Sequence, residues 1–145
     1  MTARYPVLIV SCDGAARGNP GPAGAGVFVV TPEGEVVAEI AQGLGRATNN
    51  VAEYTAVILG LERASALGAR EVLVRSDSLL LVNQLSGRYR VKSQHLKALY
   101  QRVRTLAAGF EKARFEHVPR GKNIDADRLA NEGVDRWLAT APDGS

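Results

Sequence analysis

The apolar run Val7–Cys12 ends on a carboxylate, Asp13, and that junction constrains the fold more than any other feature of the chain. Such a run suits a strand buried on both faces, and a sheet provides that setting only when further layers cover it. The segment Gly14–Gly26 is rich in glycine and proline, with Asn-Pro-Gly-Pro at Asn19–Pro22, and predicts turn structure. Two more strands are expected at Gly26–Thr31 and Val36–Gly43, joined by a tight turn at Pro32–Gly34. The first third therefore reads as an antiparallel meander.

The period of the pattern then changes. Val51, Tyr54, Ile58, Leu61, Ala64 and Leu67 recur at helical spacing, with Thr48 and Asn49 able to cap the start and Gly68 the end. A β-branched strand is expected at Glu71–Ser76, and a short helix at Leu79–Leu85 that stops at Gly87. Leu96, Leu99, Tyr100, Val103, Leu106, Ala107 and Phe110 mark a long amphipathic helix. A last strand at Arg114–Val118 and a last helix at Ile124–Leu138 complete the order β-β-β-α-β-α-α-β-α. This order predicts an α/β fold: a five-stranded mixed sheet, antiparallel at first and parallel later, with helices on both faces. The 145 residues fit a single domain over 1–145, with its compact part at about 5–138.

Composition narrows the class of protein. An apolar fraction of 46% against 23% charged excludes a disordered chain. No apolar run approaches the roughly 18 residues of a membrane span. The N-terminal run has no small-residue cleavage site after it and reads as a strand rather than a signal peptide. The lone cysteine, Cys12, cannot form an internal disulfide, so it is expected to be a buried core residue in a cytoplasmic protein. Charge is unevenly spread: residues 86–128 carry 11 Lys/Arg and four acids, a local +7, against −4 for the rest. Such asymmetry fits a polyanionic partner, although basic helices also carry solvated Lys/Arg faces.

Four acids fall at the ends of elements. Asp13 and Asp77 follow strands, whereas Glu53 and Asp127 lie in the first turns of helices. Each has a structural explanation by itself, as a cap or as a complement to the helix dipole. Taken together they predict a cluster at the carboxyl edge of the sheet, where α/β folds gather ligands. Clustered carboxylates repel one another and need cations, and hard oxygen ligands select Mg²⁺ or Mn²⁺. Two such ions are a known device for in-line phosphoryl displacement. Asn19, Thr48, Asn49 and Asn50, with backbone N–H groups near Gly14, Gly18 and Gly21, supply donors that suit phosphate and sugar oxygens. Dinucleotide binding is disfavoured, because Gly24-Ala25-Gly26 lacks the third glycine and no Gly-Lys-Ser/Thr follows.

The blocks DGAARGNPGPAGAG (Asp13–Gly26), TNNVAE (Thr48–Glu53), SDS (Ser76–Ser78) and NIDADRLAN (Asn123–Asn131) resemble type 1 ribonuclease H in order and spacing. The resemblance covers residues 5 to about 138 and implies an endonuclease that cuts the RNA strand of RNA/DNA hybrids. It implies two Mg²⁺ ions, with Mn²⁺ as a substitute, held by Asp13, Glu53, Asp77 and Asp127. Asp13 would bridge both ions, Asp127 would serve the ion that activates water, and Glu53 and Asp77 the ion at the leaving 3′ oxygen. Products would carry 5′-phosphate and 3′-hydroxyl ends. Substrate contacts are expected from Gly14, Arg17, Gly18, Asn19, Thr48, Asn49, Asn50 and Ser78. Among these, Gly14 and Asn50, together with Glu53, would sense the 2′-hydroxyls, and Asn19 and Thr48 would grip a phosphate of the DNA strand.

Two departures from the family pattern stand out. The stretch HVPRGKNIDAD is shorter than the loop that carries a histidine in many relatives. His117 is expected semi-buried within a strand, and Arg120 is the candidate to reach the scissile phosphate, binding charge without shuttling protons. The chain also passes from Gly87 through RYRVKSQ straight to its long helix, without the basic helix some relatives insert, leaving Arg88, Arg90 and Lys92 as a reduced hybrid-binding surface. The partner is then a hybrid duplex, with no membrane and no obligate protein partner. The alternatives are a catalytically weak hybrid- or double-stranded-RNA-binding module of the same fold, or a nuclease of broader duplex specificity. The presence of all four acids favours the active enzyme.

Overall fold

The computed structural model describes residues 5–140. Among them run β1 (Val7–Ala16), β2 (Gly21–Val30), β3 (Val36–Ala47), α1 (Asn49–Ala66), β4 (Glu71–Ser76), α2 (Leu79–Leu85), α3 (Gln94–Ala108), β5 (Lys112–His117) and α4 (Ile124–Thr140), with a 3-10 turn at Arg120–Lys122. Their order and type are those expected from the sequence. The sheet order is β3-β2-β1-β4-β5, antiparallel from β3 to β1 and parallel from β1 through β4 to β5. No helix among the described residues is long and apolar enough to cross a membrane.

The strands of the meander are longer than expected. β1 continues past Asp13 to Ala16, β2 starts at Gly21 rather than Gly26, and β3 extends to Ala47. Gly14–Gly26 is therefore mostly sheet. Only residues 17–20 form the connection, where Gly18 adopts φ +105°, a conformation that glycine tolerates best, and the Asn19–Pro20 peptide is cis. The other glycines were expected to mark turns but instead mark close packing. A Cβ at Gly24 would lie 2.4 Å from the carbonyl oxygen of Ala130, and one at Gly26 would lie 2.2 Å from that of Ala126. Gly43 of β3 sits under Trp137 in the same way, with 2.5 Å between a notional Cβ and that of Trp137. Helix α4 thus lies on the backbone of β2 and β3, and Trp137 anchors it to the sheet over Gly43.

The opposite face carries the main core. Leu8, Val10 and Cys12 of β1 and Val27 and Val29 of β2 meet Tyr54, Val57 and Leu61 of α1, with Leu81 and Leu85 of α2 and Val103 of α3 beyond. Cys12 is buried as expected, and burial pushes its thiol well above the usual range. β1 is not fully buried on both faces, however. Ile9 and Ser11 point to the α4 side and are half-buried, since α4 lies over β2 and β3 and leaves a small cleft of about 170 Å³ beside them.

Candidate active site

Three packing features carry the four acids to one edge. β1 pairs with β4 in parallel as far as Ser11 opposite Arg75. Two residues further in that register, beyond the last paired positions, Asp13 faces Asp77. Gly14 lies beneath the first turns of α1, where a Cβ would come within 2.3 Å of the Glu53 nitrogen, so α1 delivers Glu53 beside Asp13. Gly26 pairs with Asp13 across β1 and β2 and accepts the backbone of α4 at Ala126, which delivers Asp127.

Caps and side-chain bonds fix these starts. The Thr48 hydroxyl accepts from Val51 N (3.2 Å) and caps α1, while Ser78 caps α2 by accepting from Leu81 N at 3.2 Å. Asn19 Oδ1 accepts from Asn49 N at 3.0 Å, tying the β1–β2 connection to α1. Asn49 Nδ2 in turn donates to Glu53 Oε1 at 2.6 Å.

The resulting cleft, of about 400 Å³, is lined by Asp13, Gly14, Ala15, Ala16, Asn49, Glu53, Asp77, Ser78, Arg120 and Asp127. Its electrostatics are those of crowded negative charge. Burial, the Asp77 carboxylate, hydrogen bonding and charge from Asp127, and the Glu53 charge together push Asp13 up to about 8. Glu53 is 7% exposed, and its carboxyl is also held above the usual range: burial dominates, a hydrogen bond with Ser78 opposes it, and Asp77 adds to it. Asp13 therefore retains its proton at neutral pH unless a cation compensates, which fits a divalent-ion site. Among the described residues no three His, Cys, Asp or Glu side chains are arranged, as they stand, to hold a metal ion. An open, oxygen-only set is what Mg²⁺ uses when water and a phosphate complete its shell.

The remaining expected site residues divide into groups. Gly14, Asn49, Ser78 and Arg120 line the cleft with the acids, whereas Gly18, Asn19 and Asn50 are exposed near the α1 start. Arg17 is engaged elsewhere, pairing with Asp135 of α4 at 2.8 Å. Arg88 and Arg90 line a second cavity, of about 600 Å³, with Tyr89, Lys97 and Tyr100, and Lys92 is exposed on the same connection. That connection, residues 86–93, contains no helix. His117 ends β5 and is exposed rather than semi-buried, because β5 is an edge strand there. His95, at the start of α3, is solvent-exposed.

Asn123 was quoted in a sequence block without a role, and the structure gives it one. It is 2% exposed, and its Nδ2 donates 2.9 Å to the Cys12 carbonyl, the residue before Asp13. Its own carbonyl accepts from Asp127 N at 3.1 Å, and its N–H donates to Arg120 O at 3.0 Å. One buried residue therefore links the strand of Asp13 through its side chain, and the turn of Arg120 and the helix of Asp127 through its backbone. An asparagine ahead of a helix signals only a cap in sequence; its long-range bond to β1 has no local signature.

Comparison with known proteins agrees with this architecture. The family described as "Reverse transcriptase-like" matches residues 11–133. The "Bifunctional protein Rv2228c" of Mycobacterium tuberculosis is 50% identical over 135 residues, which is 92% of this chain and 37% of that protein. The solved N-terminal RNase H domain of that protein superposes with a TM-score of 0.87 at 49% identity, covering 89% of this chain and 99% of the domain. "Ribonuclease HI" of Halobacterium salinarum is 46% identical over 85% of this chain and 62% of its own length. LC11-RNase H1, solved in complex with an RNA/DNA hybrid, has a TM-score of 0.86 at 41% identity, covering 90% and 99% of the two chains. The chain spans little more than a third of the mycobacterial protein. With matching fold, matching sequence blocks and these relatives, the chain belongs to the type 1 ribonuclease H family.

Proposed function

We propose that this chain is a metal-dependent endonuclease that hydrolyses the RNA strand of RNA/DNA hybrids. The observation that carries the reading is the convergence of Asp13, Glu53, Asp77 and Asp127 on one cleft, where burial together with the neighbouring carboxyls lifts Asp13 to about 8. Two Mg²⁺ ions held by these four residues, with Mn²⁺ able to replace them, would supply Lewis-acid stabilisation of the attacking water and the leaving oxygen. That chemistry leaves 5′-phosphate and 3′-hydroxyl ends.

The chain's own groups orient the substrate. Backbone at Gly14 with the side chains of Asn50 and Glu53 would meet the ribose 2′-hydroxyls, and Asn19 and Thr48, which flank the same helix start, would grip a phosphate of the DNA strand. Asn49 and Ser78 line the cleft beside Glu53. Arg120, on the cleft wall, offers a permanent positive charge to the scissile phosphate. Arg88, Arg90 and Lys92 offer further positive charge to the duplex. A hybrid-bound relative of 41% identity supports the substrate class. The described fold is expected to suffice as one catalytic domain, in a cytoplasmic protein whose single buried cysteine gains nothing from an oxidising compartment.

The test is incubation with labelled RNA/DNA, RNA/RNA and DNA/DNA duplexes in Mg²⁺, Mn²⁺ or EDTA. Cutting confined to the RNA of the hybrid and abolished by EDTA is expected, as is loss of turnover in Asp13→Asn with the fold retained. Wild-type turnover in Asp13→Asn, or equal cutting of all duplexes, overturns the reading.

A further inference from the structure

The core on the α1 side holds one polar pair that no part of the chemistry above uses. Tyr54, 1% exposed, donates its hydroxyl to Gln84 Oε1 at 2.7 Å, and Gln84 is 8% exposed. A phenylalanine facing a leucine would fill similar space with no polar atoms to satisfy, so the pair is not needed for net stability.

Its position in the chain is informative. Tyr54 directly follows Glu53, which lines the acidic cleft. Gln84 directly follows Asn83, which anchors the basic connection: the Asn83 carbonyl accepts from Arg88 N (2.8 Å) and Tyr89 N (3.1 Å), and its Oδ1 accepts from the Arg88 guanidinium at 3.3 Å. At the other end of α2, Ser78 lines the acidic cleft beside Glu53. Helix α2 therefore runs from the acids at its Ser78 end to the cations at its Gln84 end, where it is fastened to α1. Arg104 of α3 adds a bond to the Leu85 carbonyl at 3.2 Å.

We propose that the Tyr54–Gln84 hydrogen bond is a positioning contact that holds the Arg88–Lys92 connection at a set distance from the acidic cleft, so that one duplex meets both. The proposal rests on the hybrid-binding part of the reading above. α2 is seven residues, about 10 Å long, so a small rotation about its Ser78 end moves the cations by several ångströms. Loss of the bond should weaken duplex engagement and leave the acids in place.

The experiment compares wild type, Tyr54→Phe and the double variant Tyr54→Phe/Gln84→Leu, at a temperature where circular dichroism shows each fully folded. The double variant removes the unsatisfied amide and restores thermal stability without restoring the bond. Binding of a fluorescent RNA/DNA hybrid is read by anisotropy in EDTA across a salt series, and cleavage is followed in Mg²⁺. The expected result is Kd and KM raised about three- to tenfold in both variants, a shallower salt slope, and kcat within about twofold of wild type. A double variant with wild-type affinity and salt slope overturns the proposal, as does a fall in kcat with KM unchanged. If wild type binds the hybrid but does not cut it, the nuclease reading fails while the binding comparison still decides this one.

Discussion

Helices α1 and α4 each bring one acid to the same edge of the sheet, but they approach it in different ways. α1 packs through side chains, Tyr54, Val57 and Leu61 fitting against Leu8, Val10 and Val27. α4 packs through its backbone, its carbonyls meeting Gly24 and Gly26 where any Cβ would collide. A side-chain contact can relax around a lost methyl group, so α1 tolerates moderate change along most of its length, although the turn that carries Glu53 rests on the backbone of Gly14. A backbone contact has no flexible atom to yield, so the position of Asp127 depends on the absence of single carbon atoms on β2.

The largest expected effect tests this difference directly. Gly26→Ala places a Cβ 2.2 Å from the Ala126 oxygen and should cost about 4 kcal/mol or more, displacing the first turn of α4 if the protein folds at all. Chemical denaturation and Mn²⁺ titration calorimetry check it, and wild-type stability with unaltered ion binding would break the comparison. Leu61→Ala, fully buried on α1, should cost about 3 kcal/mol by leaving a cavity. Measured where the variant is still folded, its kcat should match wild type; a kcat loss as large as that of Gly26→Ala would erase the contrast.

The smallest effect sharpens the comparison at the point where both helices meet. In metal-free protein the folded state holds the Asp13 proton up to about pH 8, whereas the unfolded chain releases it near its ordinary value of 3.8. The unfolded state binds fewer protons between those limits, so stability is greatest at low pH and falls as pH rises towards 8. Water reaches the open cleft, which limits the loss to about 2 kcal/mol. Thermal melts in EDTA at pH 5 and pH 8 should show this decline in wild type and a weaker one in Asp13→Asn, leaving the Glu53 contribution.

Much of the architecture was legible in the sequence because its signals are local. Strand β4, helix α2 and the start of α1 at its Thr48 cap lie where periodicity and capping residues put them. Asp13, Glu53, Asp77 and Asp127 were legible as a group because each interrupts or begins an element whose edge is predictable. The glycines of β2 were misread because glycine marks both sharp turns and close backbone approach, and only the packed helix distinguishes them. The ion pair of Arg17 with Asp135 spans 118 positions of sequence, beyond the reach of any local pattern. The roles of Asn123 and Gln84 were hidden for the same reason.

The overhang of β1 beyond β4 has a further consequence. Past Ser11 the strand has a neighbour on one side only, and the Asn123 amide caps the Cys12 carbonyl on the other. Main-chain groups of alternate residues share a side, so those of Gly14 face the cleft rather than a partner strand. The Gly14 N–H is held by Asp13 Oδ1 at 3.0 Å, and a ligand resting along this rail touches atoms common to every amino acid. Substitution can reshape the fringe of this groove, but its floor is written in the polymer backbone and changes only if the strand itself shifts.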